Sequence, residues 1–68
     1  MTPLERRAAM KAAVTLRQIT MAQAAQELGI SYNHLTLVLH GERKGSVRLE
    51  ESISLLLNRP RDEVFPHR

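Results

Sequence analysis

Apolar residues recur at spacings of three and four along most of the chain, a pattern typical of α-helices that each bury one face. The clearest case lies between residues 20 and 41, where two such runs flank Gly29. A glycine suits the left-handed conformation in which many helices end. This stretch therefore predicts two short helices joined by a tight turn, with apolar faces formed by Ala24, Ala25, Leu28, Leu35, Val38 and Leu39.

Capping residues mark the ends of these two helices. Thr20 and Gln23 have the spacing of a capping box, in which each side chain bonds the backbone N–H of the other residue. Ser31 is a favourable N-cap for the second helix. Gly41 closes that helix, which we expect to run from about Tyr32 to Leu39.

A longer helix is predicted before this pair. Thr2 provides its cap, Pro3 suits the first helical position, and Glu5 completes a capping box. The helix is expected to end at Leu16 or Arg17. One possible buried face comprises Leu4, Ala8, Ala12 and Leu16. We favour the other, which comprises Met10, Ala13, Val14 and Ile19.

The last third of the chain predicts one more full helix and a final turn. Residues 41–45 contain two glycines and three charged residues, as expected of a loop. Ser46 caps a helix that runs to about Leu57, and residues 59–66 predict a short turn of helix. No strand is expected. The predicted fold is all-α, a compact bundle of about five short helices in a single domain spanning residues 1–68.

Length and composition exclude several classes of protein. A chain of 68 residues has room for one domain, and its lack of cysteine removes disulfides and thiolate metal sites. No apolar run approaches the roughly 18–20 residues of a membrane span, and the first residues lack the apolar stretch of a secretory signal. We therefore expect a cytoplasmic protein with no membrane partner.

The charges are unevenly distributed along a chain whose net charge is +3. Basic residues gather in the first helix and just beyond the second helix of the motif, at Arg6, Arg7, Lys11, Arg17, Arg43, Lys44 and Arg48. Acidic residues gather in the last third, at Glu50, Glu51, Asp62 and Glu63. This asymmetry favours one face turned towards an anion, and an ordinary solvated surface is the alternative.

The residues of the motif resemble a known family. A small residue at Ala25 lets the second helix cross close to the first, and two helices with a Gly-containing turn form a helix-turn-helix. Ala25, the turn at residues 29–31, Leu35, Val38 and the run at residues 40–44 resemble the Cro and phage-repressor family of DNA-binding domains. The resemblance, which extends to Pro66, implies a lambda-repressor-like fold and sequence-specific binding to double-stranded DNA as a transcriptional repressor.

The resemblance also implies which side chains read the bases. In such proteins the second helix lies in the major groove, where each base pair displays a different pattern of donors and acceptors. Asn33 can bond an adenine edge, and Leu37 can contact a thymine methyl group. If these residues do not contact bases, the alternatives are that Asn33 is solvated and that Leu37 is a surface residue touching the fourth helix. The implied outward positions are Ser31, Tyr32, Asn33, Thr36, Leu37 and His40.

Other residues are implied to hold the DNA backbone. Tyr32, His40, Arg43 and Lys44 would position the domain on phosphates, so that affinity falls steeply with salt. The alternatives are a Tyr32 ring lying over a neighbouring helix and a His40 ring interacting with the end of its own helix. The family often has Asn where this chain has His40.

The start of the first motif helix is implied to reach the other DNA strand. Thr20 and Gln23 lie at a helix N-terminus, where free N–H groups favour phosphate. The family usually has Gln directly after the cap, whereas this chain has Met21.

No catalytic constellation is present in the sequence. It has no Cys, no Gly-rich phosphate loop after a strand and no HExxH motif, so we expect neither an enzyme nor a cofactor. His34 and His40 are six residues apart and do not share one helical face, so no metal site is expected.

We expect two copies to bind a pseudo-palindromic operator as a homodimer, because one small module contacts few base pairs. The predicted pairing surface comprises Leu55, Leu57, Val64 and Phe65. The alternative is that these residues complete the core of the monomer. Two other functions remain open, a protein-interaction module such as an antitoxin or phage accessory factor, and DNA binding without sequence choice.

Overall fold

The computed structural model describes residues 1–66, which form five helices and no strand. The predicted all-α class is confirmed. None of the described helices is both long and apolar enough to span a lipid bilayer. The helices are α1 (Pro3–Leu16), α2 (Met21–Glu27), α3 (Tyr32–His40), α4 (Val47–Leu57) and α5 (Arg61–Val64).

Helices α1 to α4 each begin at a hydroxyl residue whose side chain accepts from a backbone N–H three residues later. The four caps are Thr2, Thr20, Ser31 and Ser46. Both predicted capping boxes are formed, by Glu5 in α1 and Gln23 in α2. Hydrogen bonds with the backbone and side chain of Thr2 lower the pKa of the Glu5 carboxyl. Short local signals therefore set where the helices start.

Left-handed residues end helices α1 to α4 or begin the turns that follow them. Gly41 and Asn58 are the C-caps of α3 and α4, with φ of 80° and 57°. Gln18, with φ of 60°, makes the turn after α1. The sequence did not predict this role for Gln18, because its side chain carries no turn signal as strong as that of glycine.

The core lies where α1 packs across α3 and α4. Met10 and Val14 are buried, and Ala13 and Ile19 are half-buried, which confirms the favoured face of α1. On the rejected face, the side chain of Leu16 is 84% exposed. Helices α3 and α4 complete the core with Leu35, Val38, Leu39, Leu49 and Ile53.

Two residues of the predicted pairing surface lie inside the molecule. Val64 is fully buried and Phe65 is 6% exposed, because α5 packs them against the rest of the core. Their assignment to a pairing surface is wrong, and the alternative that they complete the monomer core is confirmed. Leu57 is half-buried, whereas Leu55 remains 80% exposed.

Candidate nucleic-acid interface

A small buried residue of α2 lies in the core that this helix shares with α3. Ala25 is 1% exposed, so its small side chain lies directly against the core. The turn that follows has φ of 76° at Gly29, and the N–H of Ile30 donates to the carbonyl oxygen of Ala25 at 3.0 Å. The Ser31 hydroxyl then accepts from the N–H of His34 at 3.0 Å and starts α3. The two helices therefore have the compact helix-turn-helix arrangement that the sequence predicted.

The N-terminal half of α3 presents a polar surface to solvent. Ser31, Tyr32 and Asn33 are exposed, and Thr36 is half-buried one turn later. The Thr36 hydroxyl donates to the carbonyl oxygen of Tyr32 at 3.0 Å. Its proton is thereby used within the helix, and its oxygen can still accept a hydrogen bond from a ligand.

Leu37 is less exposed than the sequence indicated. The loop after α3 turns back over the last turn of the helix, and the N–H groups of Glu42 and Arg43 both donate to the carbonyl oxygen of Leu37, at 3.0 and 3.2 Å. The Leu37 side chain is half-buried. It therefore offers only part of its surface to a base.

The ring of His40 is turned towards the protein. Its Nδ1 lies 3.4 Å from a carboxylate oxygen of Glu42. Its Nε2 is buried and has no hydrogen-bond partner among the described residues. This orientation does not favour the phosphate contact predicted for His40, because Nε2 is buried and Nδ1 lies beside the carboxylate of Glu42.

The loop between α3 and α4 carries the exposed cations Arg43 and Lys44. Gly41 starts the loop in a left-handed conformation, and the Ser46 cap ends it. The bond from the Arg43 N–H to Leu37 anchors the loop to α3. The two cations therefore flank the C-terminal end of α3, as the sequence predicted.

At the start of α2, the Thr20–Gln23 box occupies the acceptor atoms of both side chains. The N–H of Thr20 donates to Gln23 Oε1 at 2.8 Å, and the N–H of Gln23 donates to the Thr20 hydroxyl at 3.0 Å. The side-chain amide nitrogen of the exposed Gln23 is not part of the box. A phosphate contact at this helix end would therefore come from that nitrogen, from the proton of the Thr20 hydroxyl or from the first backbone N–H groups of α2, since the side chain of Met21 carries no donor.

Two cations that the sequence did not assign to the site lie beside α3. Arg7 and Lys11 of α1 are exposed and line one groove together with Met21, Tyr32 and Thr36. Their spacing of four residues places both on one face of the helix. The spacing alone indicates that the two cations share a face of α1. Only the packing of α1 against α3 shows that this face lies beside α3.

A third cation of α1 is buried. Arg6 is 7% exposed and donates to the carbonyl oxygens of Leu39, Met1 and Val64, at 2.9, 2.9 and 3.0 Å. Its guanidinium carbon lies 5.1 Å from the centre of the Phe65 ring. Arg6 is therefore not a surface cation, and it instead holds the last turn of α3 against both ends of the described chain.

A buried carboxylate accompanies this arginine. Glu50 is 2% exposed and lies 3.2 Å from the guanidinium of Arg61. Burial lowers the pKa of Arg6, and the charge of Glu50 opposes that shift. Glu50 therefore belongs to an internal charge network and not to the acidic surface at the end of the chain.

The described residues contain no group of three or more His, Asp or Glu side chains placed to hold a metal ion. No protein-family model, curated protein or solved structure matches this chain.

Proposed function

We propose that this protein is a sequence-specific regulator that binds double-stranded DNA and acts as a transcriptional repressor. The reading helix is α3, which enters the major groove with its N-terminal half towards the bases. The proposal follows from the resemblance of residues 20–44 to the Cro and phage-repressor family. The geometry of α2 and α3 supports it.

One observation carries the proposal. Exposed cations lie in two places near the exposed polar face of α3. Arg7 and Lys11 line a groove together with residues of α3, and Arg43 and Lys44 lie in the loop that directly follows α3. Phosphate strands border the major groove on both sides, so a reading helix needs cations on both flanks. An ordinary solvated surface gives no reason for exposed cations at both places.

The side chains then divide into readers and anchors. Asn33 can donate to and accept from an adenine edge, and Thr36 can accept from a base amino group. Leu37 contributes a smaller apolar contact. The anchors on the phosphates are the four cations together with Tyr32, Ser31 and the Thr20–Gln23 end of α2. His40 is left out of this set because its ring is turned inward.

Two copies are proposed to occupy an inverted repeat. A single reading helix contacts too few base pairs for useful specificity, and half-sites one helical turn apart place two such helices on the same side of the duplex. Since Val64 and Phe65 are buried, they do not hold the two copies together. The spacing of the half-sites on the DNA instead sets the distance between the two copies.

Selection from a random duplex library at near-physiological salt tests the proposal. We expect an enriched inverted repeat with half-sites about 10 base pairs apart, centre to centre. Enrichment of a single half-site would retain the reading helix and remove the symmetry. No enrichment, with binding to bulk DNA preserved at low salt, would overturn sequence-specific reading in favour of non-specific binding.

A charge-reversed variant provides the control for this selection. Arg43→Glu combined with Lys44→Glu places two acidic side chains where two phosphate anchors are proposed. We expect the variant to lose the enriched site while its helix content by circular dichroism stays unchanged. Full DNA affinity of the variant at low salt would show that the loop does not contact DNA.

A further inference from the structure

A second groove lies between α1 and α4, and its edges are two exposed leucines. The side chain of Leu16 is 84% exposed and that of Leu55 is 80% exposed. Both residues line the same groove. Single exposed leucines are common on protein surfaces, but two of them facing one concave surface are typical of a docking site.

The residues between these two leucines are apolar, and those contributed by α1 are small. Ala9, Ala12 and Ala13 of α1 line the groove, and the half-buried Leu56 and Leu57 of α4 complete it. Small side chains between two larger ones allow another helix to approach closely, since ridges of one helix pack into the grooves of the other. The shape therefore suits a helix rather than an extended strand or a flat surface.

The charged side chains that line this groove are both arginines. Arg17 and Arg59 line it, and none of its described lining residues is acidic. A guanidinium nitrogen of Arg17 donates to the carbonyl oxygen of Leu56 at 3.4 Å, which holds this side chain across the end of α4. Arg59 lies 3.6 Å from Glu63 in an exposed pair that solvent screens strongly.

We propose that this groove docks an amphipathic helix of a partner protein, with an apolar stripe bordered by Asp or Glu residues. The stripe covers Leu16 and Leu55, and the acidic residues meet Arg17 and Arg59. Opposite charges across an interface guide the encounter and disfavour partners of the wrong sign. This is the helix-in-groove mode of recognition, in which apolar anchors recur at helical spacing.

A second copy of this chain fits the groove less well. A two-fold symmetric pair brings the same patch of both copies together. None of the described residues that line this patch is acidic, so a symmetric pair would offer Arg17 and Arg59 no carboxylate. The arginines therefore favour an acidic partner over self-association at this surface.

The groove differs from the one beside the proposed DNA interface, although a further concave surface that contains both Lys11 and Leu16 adjoins the two. The groove that holds Arg7, Lys11 and Tyr32 shares no lining residue with the one that holds Leu16 and Leu55. The inference does not depend on DNA binding and survives if that function is wrong.

A displayed library of helical peptides provides the test. Each peptide carries leucines at one helical face, and the positions that border this face are randomised among Glu, Lys and Gln. We expect selection on the full chain to enrich Glu at the borders. Enrichment of Lys or Gln, or the absence of any enrichment, would overturn the proposal.

Variants then locate the binding surface for the selected peptide. Leu16→Gln with Leu55→Gln is expected to weaken peptide binding by about tenfold or more, because exposed apolar anchors carry most of the affinity of such grooves. Leu4→Gln is the matched control, since Leu4 is exposed on α1 but lines the other groove. Equal loss in both variants would overturn the assignment to this groove.

Charge exchange distinguishes the proposed partner from other occupants. Arg17→Glu with Arg59→Glu should reject the acidic peptide and accept its Lys-substituted form. Concentration-dependent dimerisation that Leu55→Gln abolishes, in the absence of peptide selection, would assign the groove to a second copy. Leucine-dependent binding to vesicles of phosphatidylglycerol, with no peptide selected, would assign it to a lipid surface.

Discussion

The guanidinium of Arg6 donates from Nε to the carbonyl oxygen of Leu39, 2.9 Å away, and this bond joins α1 to the last turn of the proposed reading helix. The same side chain also donates to Met1 and Val64. One buried residue of the first helix therefore controls how α3 is held, although it lies on neither proposed binding surface.

Replacing Arg6 with Met should destabilise the fold. The substitution leaves three carbonyl oxygens without their donor and removes a positive charge near Glu50, which costs about 3 kcal/mol by comparison with other buried pairs. Urea unfolding followed by circular dichroism measures the change. Arg7→Met is the matched control and should alter the free energy of unfolding by less than about 0.5 kcal/mol, since Arg7 is exposed. A similar result for the two variants would refute the anchoring role.

The two left-handed glycines of the motif should differ in their response to alanine. At Gly29 an added Cβ meets nothing within 4 Å, so only the backbone conformation opposes it, at a cost of about 1 kcal/mol. At Gly41 the Cβ would lie 3.2 Å from Nη2 of Arg6, whose guanidinium is held in place by the hydrogen bonds that Nε and Nη1 donate. We expect Gly41→Ala to be clearly the more destabilising variant in thermal unfolding, and equal melting temperatures would contradict this explanation.

A larger residue at the helix crossing should disrupt α2 and α3 together. Ala25→Leu inserts three carbon atoms where α3 packs, and overpacking of this kind costs about 1–3 kcal/mol or more. Ala22→Leu makes the same chemical change at an exposed position of α2 and should be nearly neutral. Both variants are compared by chemical denaturation and by DNA binding. If Ala25→Leu is as stable as Ala22→Leu, the crossing is not tight.

Asn33 should determine the preference for one base pair. Asn33→Asp keeps the shape of the side chain but removes its donor, so discrimination at that position should fall by about 1–3 kcal/mol. Selection with the variant should show a relaxed or changed base at one position of each half-site. Glu51→Ala, an exposed change on α4, serves as the control. An unchanged selected site would remove Asn33 from the reading set.

The salt dependence of DNA binding should report the two pairs of cations separately. Neutralising Arg43 and Lys44 to Gln removes two phosphate contacts and should reduce the slope of log affinity against log salt by about 2. The same change at Arg7 and Lys11 should give a similar reduction. Fluorescence anisotropy at several salt concentrations provides the slopes.

The arginines of the second groove supply the control for that experiment. Arg17→Gln with Arg59→Gln removes the same amount of charge from residues outside the proposed DNA interface. The slope should stay at its wild-type value. A reduction as large as in the other two variants would indicate a general charge effect in place of defined contacts.

Local signals predicted most of the fold. Thr2, Thr20, Ser31 and Ser46 each specify a helix start through a bond to a residue three positions away, so the sequence contains the necessary information within one turn. The apolar spacing of α1 and α4 identified the faces that are buried. These elements could be predicted because both partners of each interaction are close in the chain.

The incorrect and missing assignments involve distant partners. The sequence placed Arg6 and Glu50 among the surface charges. Nothing near them in the chain indicates that Arg6 contacts Leu39 and Val64, or that Glu50 contacts Arg61. Val64 and Phe65 lie in a segment too short for apolar spacing to show which side is buried. The inward turn of His40 similarly depends on how the loop after α3 folds back.

The separation along the chain between Arg6 and its hydrogen-bond acceptors bears on the order of folding. Its acceptors lie 5, 33 and 58 positions away along the chain, whereas the hydroxyl caps bond within three. Closing a long loop costs more entropy than closing a short one. We therefore expect the local cap bonds to form early and the bonds from Arg6 to Leu39 and Val64 to form late. Substitutions at Arg6 should then accelerate unfolding far more than they slow refolding. The bonds by which Arg6 holds α3 are therefore expected to form only after the helices have formed, and to slow unfolding of the native protein.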